Sequence, residues 1–193
     1  MYWQVYLHKT TVSAERMLVN LIRRAQVLVR AGEHLPASDA LTTFLKKETT
    51  LNDFRENPGT LDVFGQLDDN DIWGAIKSWK NHSDNILSLL SGMLIQRHLF
   101  RIRLSAEPIR KNQVEAIRVG VMKHFKLLRS EVPYLFSHGT VSNEAYAEGK
   151  EINIIMRNGE VIDIAQASDL PHIKALGKIV KKNYLCWPKN VSL

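Results

Sequence analysis

Apolar residues recur at intervals of three and four through the first thirty positions. Leu18, Leu21, Ile22, Ala25, Leu28 and Val29 share one face, no proline intervenes, and Gly32 stands just past them. This spacing predicts one long helix from the first residues to about Arg30. On another face Lys9, Arg16, Arg23 and Arg30 follow at seven-residue steps and fall nearly in line. No Ser, Thr, Asp or Asn precedes Tyr2 to satisfy the first free N–H groups. The helix start is therefore expected either to fray or to continue from sequence upstream.

The pattern stays helical to about position 98. Ala40, Leu41, Phe44 and Leu45 predict a short helix over 38–47, capped by Ser38 or Asp39, and the polar stretch through Asn57-Pro58-Gly59 reads as loop. Asp68, Asp69, Asn70 and Asp71 precede Ile72, Ala75, Ile76 and Trp79, which lie on one helix face. That acid cluster suits capping and dipole compensation better than calcium, because it lacks the alternating ligands, sixth-position glycine and twelfth-position acid of a calcium loop. Asp84 opens a further helix whose stripe, Ile86, Leu87, Leu90, Met93 and Leu94, is wide enough to predict near-complete burial.

Beyond that helix the period changes. A strand is expected over 100–105, then a helix from Pro108 to about Leu128 with Val114, Ile117, Val121 and Phe125 apolar. Period-two segments at 132–141, 151–156 and 160–165 predict strands, the last two joined at Arg157-Asn158-Gly159. Residues 171–182 return to helix and 184–187 to strand. The expected fold is mainly α, with a helical part over 1–98 and a small α+β lobe of split βαβ type over 99–193.

Composition narrows the class without naming a chemistry. The 193 residues are 45% hydrophobic and 24% charged, enough for one substantial core. No apolar run is long enough to span a bilayer and no signal-peptide succession is present, so a cytoplasmic setting without membrane contact is expected. The single cysteine, Cys186, excludes an internal disulfide and reads as a small buried hydrophobe.

The net charge of +6 is uneven. Residues 1–30 carry five Lys or Arg against one acid, 39–71 three against eight, and 77–129 eleven against three. Basic segments of this kind suit an anionic partner: nucleic acid, nucleotide or phosphate.

No G-x-S-x-G, Gly-rich phosphate loop, C-x-x-C or H-E-x-x-H motif occurs, and none of the seven histidines pairs at helical ligand spacing or adjoins an aspartate. No catalytic residue and no metal ligand is assigned in this chain. The remaining chemistry is basic and aromatic. Tyr2, Tyr6 and Lys9 fall on one helix face beside His8, and Arg97 and Arg101 lie four apart at the end of the buried helix. Guanidinium forks and lysine ammonium groups suit phosphate oxygens. On spacing alone the plainer reading is favoured, in which the arginines cap carbonyls and the tyrosines fill core.

Three runs shift that balance. Tyr2-Trp3-Gln4-Val5-Tyr6-Leu7-His8-Lys9-Thr10 followed by Ala14-Glu15-Arg16-Met17-Leu18, then Leu67-Asp68-Asp69-Asn70-Asp71-Ile72-Trp73, then Arg97-His98-Leu99-Phe100-Arg101 stand in the order found in HD-superfamily phosphohydrolases. The chain resembles the dNTP (dGTP) triphosphohydrolases of that superfamily over roughly residues 1–105. The resemblance implies hydrolysis of a deoxynucleoside triphosphate to deoxynucleoside and triphosphate at a divalent metal held by histidines and aspartates. Those ligands belong upstream of the tyrosine run, in an N-terminal HD portion that this chain lacks.

It further implies that Tyr6 contacts substrate and that His8, Lys9, Arg97 and Arg101 hold a regulatory nucleotide within a homo-oligomer. Leu7 replaces a glutamine of the SAM-and-HD-domain members, which puts base discrimination in doubt, and Arg101 replaces a lysine with its charge kept. The chain thus reads as the C-terminal portion of such an enzyme, inactive alone. The alternative is a non-enzymatic basic module that binds nucleic acid or a protein partner.

Overall fold

The apolar face of the first helix organises the rest of the chain. In the computed structural model, which describes residues 8–142, 153–164 and 181–191, helix α1 (Lys9–Arg30) buries Val12, Met17, Leu21, Ala25 and Leu28. Leu18, Ile22 and Val29 pack at the edge of the same core. A Schellman turn ends α1: the Gly32 N–H donates to the Val29 carbonyl at 3.1 Å and the Glu33 N–H to the Leu28 carbonyl at 3.0 Å. Gly32 takes the left-handed conformation this turn needs, with φ 95°.

The start of α1 departs from the sequence expectation. His8 is extended, with φ −62° and ψ 143°, and its Nδ1 accepts the Thr10 N–H at 3.3 Å. The helix therefore opens at Lys9 under a histidine cap. The residue spacing predicts Tyr2 and Tyr6 on the face of Lys9. Both tyrosines lie outside the described residues.

Helix α2 (Asp39–Lys46) is capped by Ser38, whose Oγ accepts the Leu41 N–H at 3.2 Å. The stretch expected as loop contains two short helices, α3 (Leu51–Glu56) and α4 (Pro58–Gly65). Asn57 ends the first and caps the second, with its Oδ1 accepting the Gly59 N–H at 3.1 Å, and Pro58 occupies the first turn, where a missing N–H costs nothing. Neither helix buries a residue, so no apolar stripe betrays them. Phe64 meets Phe44 and Phe54 edge-on, each at a centroid distance of 5.8 Å.

In α5 (Asp69–Trp79) the acid cluster acts as a cap. Asp68 accepts the Asn70 N–H at 2.6 Å, and Asp71 returns the contact to the Asp68 N–H at 2.9 Å. Trp79, fully buried, donates its indole N–H to the Pro36 carbonyl at 2.9 Å. Helix α6 (Asn85–Ile95) buries Ile86, Leu87, Leu90 and Leu94 against α1. Asp84 caps it by accepting the Leu87 N–H at 2.8 Å and also receives the Arg24 guanidinium, whose Nε lies at 3.1 Å. Burial pushes the Asp84 carboxyl upward, but the Arg24 hydrogen bonds and charge outweigh it and hold this acid below its ordinary value.

The remaining elements are β1 (Arg101–Ser105), α7 (Lys111–Phe125), α8 (Val132–Leu135), β2 (Ser137–Ser142), β3 (Asn153–Ile155), β4 (Val161–Asp163) and β5 (Lys181–Trp187). Three expectations are corrected here. Pro108 precedes α7 rather than opening it. The segment 132–141 begins with a helical turn, in which the Phe136 N–H donates to the Val132 carbonyl at 2.9 Å, before it becomes strand. Positions 171–180 of the expected last helix lie outside the described residues, while Lys181 and Lys182 belong to β5.

The central strand of the three-stranded sheet is β5, antiparallel to both β1 and β2. Strands β1 and β2 consequently run parallel, joined through α7 and α8 and separated by β5, which is a split βαβ arrangement. Strands β3 and β4 form a separate hairpin. Tyr184, Leu185, Cys186 and Trp187 are all buried, so β5 is covered on both faces, and one core runs from α1 through to it. The Cys186 thiol is pushed up to about 12 by burial, which leaves it a packed, unreactive group. The described residues are mainly α with a small sheet, and no helix among them is long and apolar enough to cross a membrane.

Candidate functional site

The first turn of α1, the exposed side of α5, the end of α6 and the start of β1 converge on a cleft of about 620 Å³. Polar ties from α1 create the convergence. Ser13 donates its hydroxyl to the Phe100 carbonyl at 2.9 Å, and the Phe100 N–H points to the Met17 sulfur at 3.4 Å. Holding both backbone groups of Phe100 against α1 draws the 97–101 segment beside Lys9. Lys9, Arg97 and Arg101 then line one cleft together with Lys189 and Trp73, over apolar walls that include Leu94, Phe100 and Ile102.

Arg97 occupies a strained position. Helix α6 ends in the same Schellman turn as α1, with the Arg97 N–H donating to the Leu94 carbonyl at 3.2 Å and the His98 N–H to the Met93 carbonyl at 2.8 Å. Where α1 places Gly32, α6 places an arginine at φ 56°. A side chain in that conformation costs about 1 kcal/mol or somewhat more relative to glycine. The arginine in this position lines the cleft.

The electrostatics are one-sided. Among the described residues Lys9, Arg97, Arg101 and Lys189 form no ion pair, and no carboxylate lines the cleft. Arg101 lies over the Trp187 ring at 5.9 Å from its centroid, which orients it without neutralising it. Trp73, 47% exposed, offers an open aromatic face. Four unpaired cations on apolar walls can hold an anion of several charges, and the indole can stack on a planar group.

Three of the four residues expected at a nucleotide site, Lys9, Arg97 and Arg101, are thus brought together. His8 is not among the lining residues; its ring is committed to capping α1. Tyr6 lies outside the described residues.

Two members of the cleft were not among the expected site residues. Trp73 carried a usable signal, since a large aromatic displaced from the stripe of Ile72, Ala75, Ile76 and Trp79 must face away from the core. Lys189 carried none, because only the return of β5 alongside β1 brings it near. Among the described residues no three His, Cys, Asp or Glu side chains converge to hold a metal ion. The divalent metal implied by the resemblance therefore has no ligand set among them.

Comparison with known proteins adds a chemistry. No family model matches the chain. Over 98% of its length it is similar to the crystal structure of a phosphohydrolase from Bacteroides thetaiotaomicron, with 42% sequence identity and a TM-score of 0.82. It is also 25% identical, over 196 aligned residues and 99% of its length, to the uncharacterised Bacillus subtilis protein YwfO. The chain spans less than half of each, 47% of the phosphohydrolase and 43% of YwfO.

Proposed function

We propose that the chain is part of a phosphohydrolase of the HD superfamily that acts on deoxynucleoside triphosphates, and that its basic cleft binds the triphosphate of a regulatory dNTP. The similarity to the Bacteroides phosphohydrolase supports a hydrolase in general. The nucleotide reading rests on one observation: among the described residues Lys9, Arg97, Arg101 and Lys189 stand unpaired around a single cleft that no carboxylate lines. A triphosphate matches that charge, and Trp73 would stack on the base or flank the sugar.

Catalytic metal ligands are assigned to sequence outside these 193 residues, and Tyr6 to the substrate side. A homo-oligomer would complete both sites. A concave pocket also suits a compact nucleotide better than the extended backbone of a nucleic acid.

Deoxynucleoside triphosphates should raise the melting temperature of the chain, and the double substitution Lys9→Ala with Arg97→Ala should abolish the rise. An undiminished rise removes the assignment. If a duplex oligonucleotide instead binds more tightly than any dNTP, with a steep loss as salt increases, the nucleic-acid module becomes the better reading. The pure 193-residue chain should release no triphosphate from dGTP in magnesium or manganese, and measurable metal-dependent release would overturn the placement of the catalytic ligands.

A further inference from the structure

A second basic recess opens two turns along α1 from Lys9. Arg16 and Arg23 of α1, Arg118 of α7, Ser137 and His138 of β2 and Tyr184 of β5 enclose about 240 Å³. The recess is built by the fold. Tyr184 lies opposite Gly139 in the sheet, where a Cβ would come within 3.2 Å of its ring, so the glycine makes room for the tyrosine. Arg16 stacks over that ring, 5.2 Å from its centroid. The Arg16 Nε is buried without a hydrogen-bond partner among the described residues, a costly state for an N–H in this position.

Neighbouring groups leave the recess a set of donors. Asn20 donates to the Ser137 Oγ at 3.1 Å, which leaves the Ser137 proton free. Among the described residues no carboxylate lines the space. Glu15 approaches Arg16 at 3.6 Å and Glu115 approaches Arg118 at 3.2 Å from outside, while Arg23 makes no ion pair among the described residues. Two carboxylates thus face three guanidiniums. A nucleoside ligand typically needs a pocket of roughly 300–1,000 Å³. This one is smaller and polar, with room and donors for an oxyanion of phosphate or pyrophosphate size.

We propose that this recess binds a phosphate-class oxyanion, either a free phosphate or pyrophosphate or the terminal phosphate of an ester, with Arg16, Arg23 and Arg118 supplying the charge and Ser137 and His138 further donors. The assignment does not depend on the nucleotide reading of the larger cleft.

The test is calorimetric titration of the chain with inorganic phosphate, pyrophosphate and glycerol phosphate, at ionic strength held constant with chloride. Saturable binding is expected, weakened about ten-fold by Arg23→Gln and by Arg118→Gln, each of which removes one charge-assisted contact. Arg23 is exposed, so its variant should keep the native melting temperature. Comparable binding of glycerol phosphate supports an ester ligand, and binding of the inorganic ions alone supports a free anion. The proposal fails if no anion saturates the chain. It also fails if binding survives both substitutions yet disappears in Arg97→Gln, which would assign the anion to the larger cleft.

Discussion

The two basic hollows along α1 draw on the same heptad line of cations but use them differently. In the larger one Lys9, Arg97, Arg101 and Lys189 are exposed above apolar walls and, among the described residues, unpaired. In the smaller one Arg16 and Arg118 are about one-third exposed, each reaches a glutamate, and Arg16 also packs on a core tyrosine. Of the first set only Arg101 has a packing contact among the described residues, over the Trp187 ring. Arg16 is both wall and anion contact, and cannot be removed without disturbing the sheet beneath it. Adjacent residues repeat the contrast: Arg24 clamps Asp84 between α1 and α6, while Arg23 faces the recess without an acid.

The sharpest way to separate the hollows is to empty one from below. Tyr184→Ala removes a 5% exposed ring from β5 and should cost about 3–5 kcal/mol in urea unfolding. Phosphate binding at the smaller recess should be lost, while any dNTP response of the larger cleft survives in the folded fraction. Loss of both together would mean that the hollows are one coupled unit.

A slightly smaller effect distinguishes the neighbouring arginines. Arg24→Gln leaves Asp84 without its partner and should destabilise the chain by about 3 kcal/mol, whereas Arg23→Gln should change stability by about 0.5 kcal/mol or less. Acid should narrow the first of these gaps. The folded-state pKa of Asp84 is depressed, so the ion-pair contribution is complete above the ordinary carboxylate value and disappears as pH falls through the depressed one. Chemical unfolding at neutral and strongly acidic pH checks this, and a gap that widens on acidification would contradict the assigned direction.

A last, modest effect has the opposite sign. Arg97→Gly relieves a left-handed arginine and should stabilise the fold by about 1 kcal/mol while eliminating the dNTP-induced melting shift. A destabilised Arg97→Gly variant would mean that Arg97 holds the helix end rather than a ligand.

Much of this architecture was legible in the residue pattern, for identifiable reasons. Apolar stripes marked α1, α2, α5 and α6, and short side chains with oxygen acceptors marked their caps at Ser38, Asp68 and Asp84, because both signals act within one or two turns. The failures are equally local. Asn57-Pro58-Gly59 combines residues that favour turns with an N-cap followed by proline, and without a buried stripe on α3 and α4 nothing favoured the helical reading. Val132 and Leu135 opened a helical turn inside a segment whose later residues alternate like a strand. The aromatic run before Lys9 suggested a continuous helix that the extended His8 interrupts.

The candidate sites divide along the same boundary. Charge and spacing mark Lys9, Arg97 and Arg101 as cations able to meet phosphate, but on spacing alone the plainer reading is favoured, and only the family resemblance assigns them to a nucleotide site. Their gathering into one cleft depends on contacts far apart in sequence, chiefly Ser13 and Met17 holding Phe100, and on β5 returning Lys189 to the end of β1. The smaller recess was invisible for the same reason, because its arginines come from two helices and its walls from strands whose pairing no local pattern specifies. Propensity, capping and charge operate over a few residues. A binding site requires particular side chains to converge without their counter-ions, and that outcome belongs to the packing of the whole core.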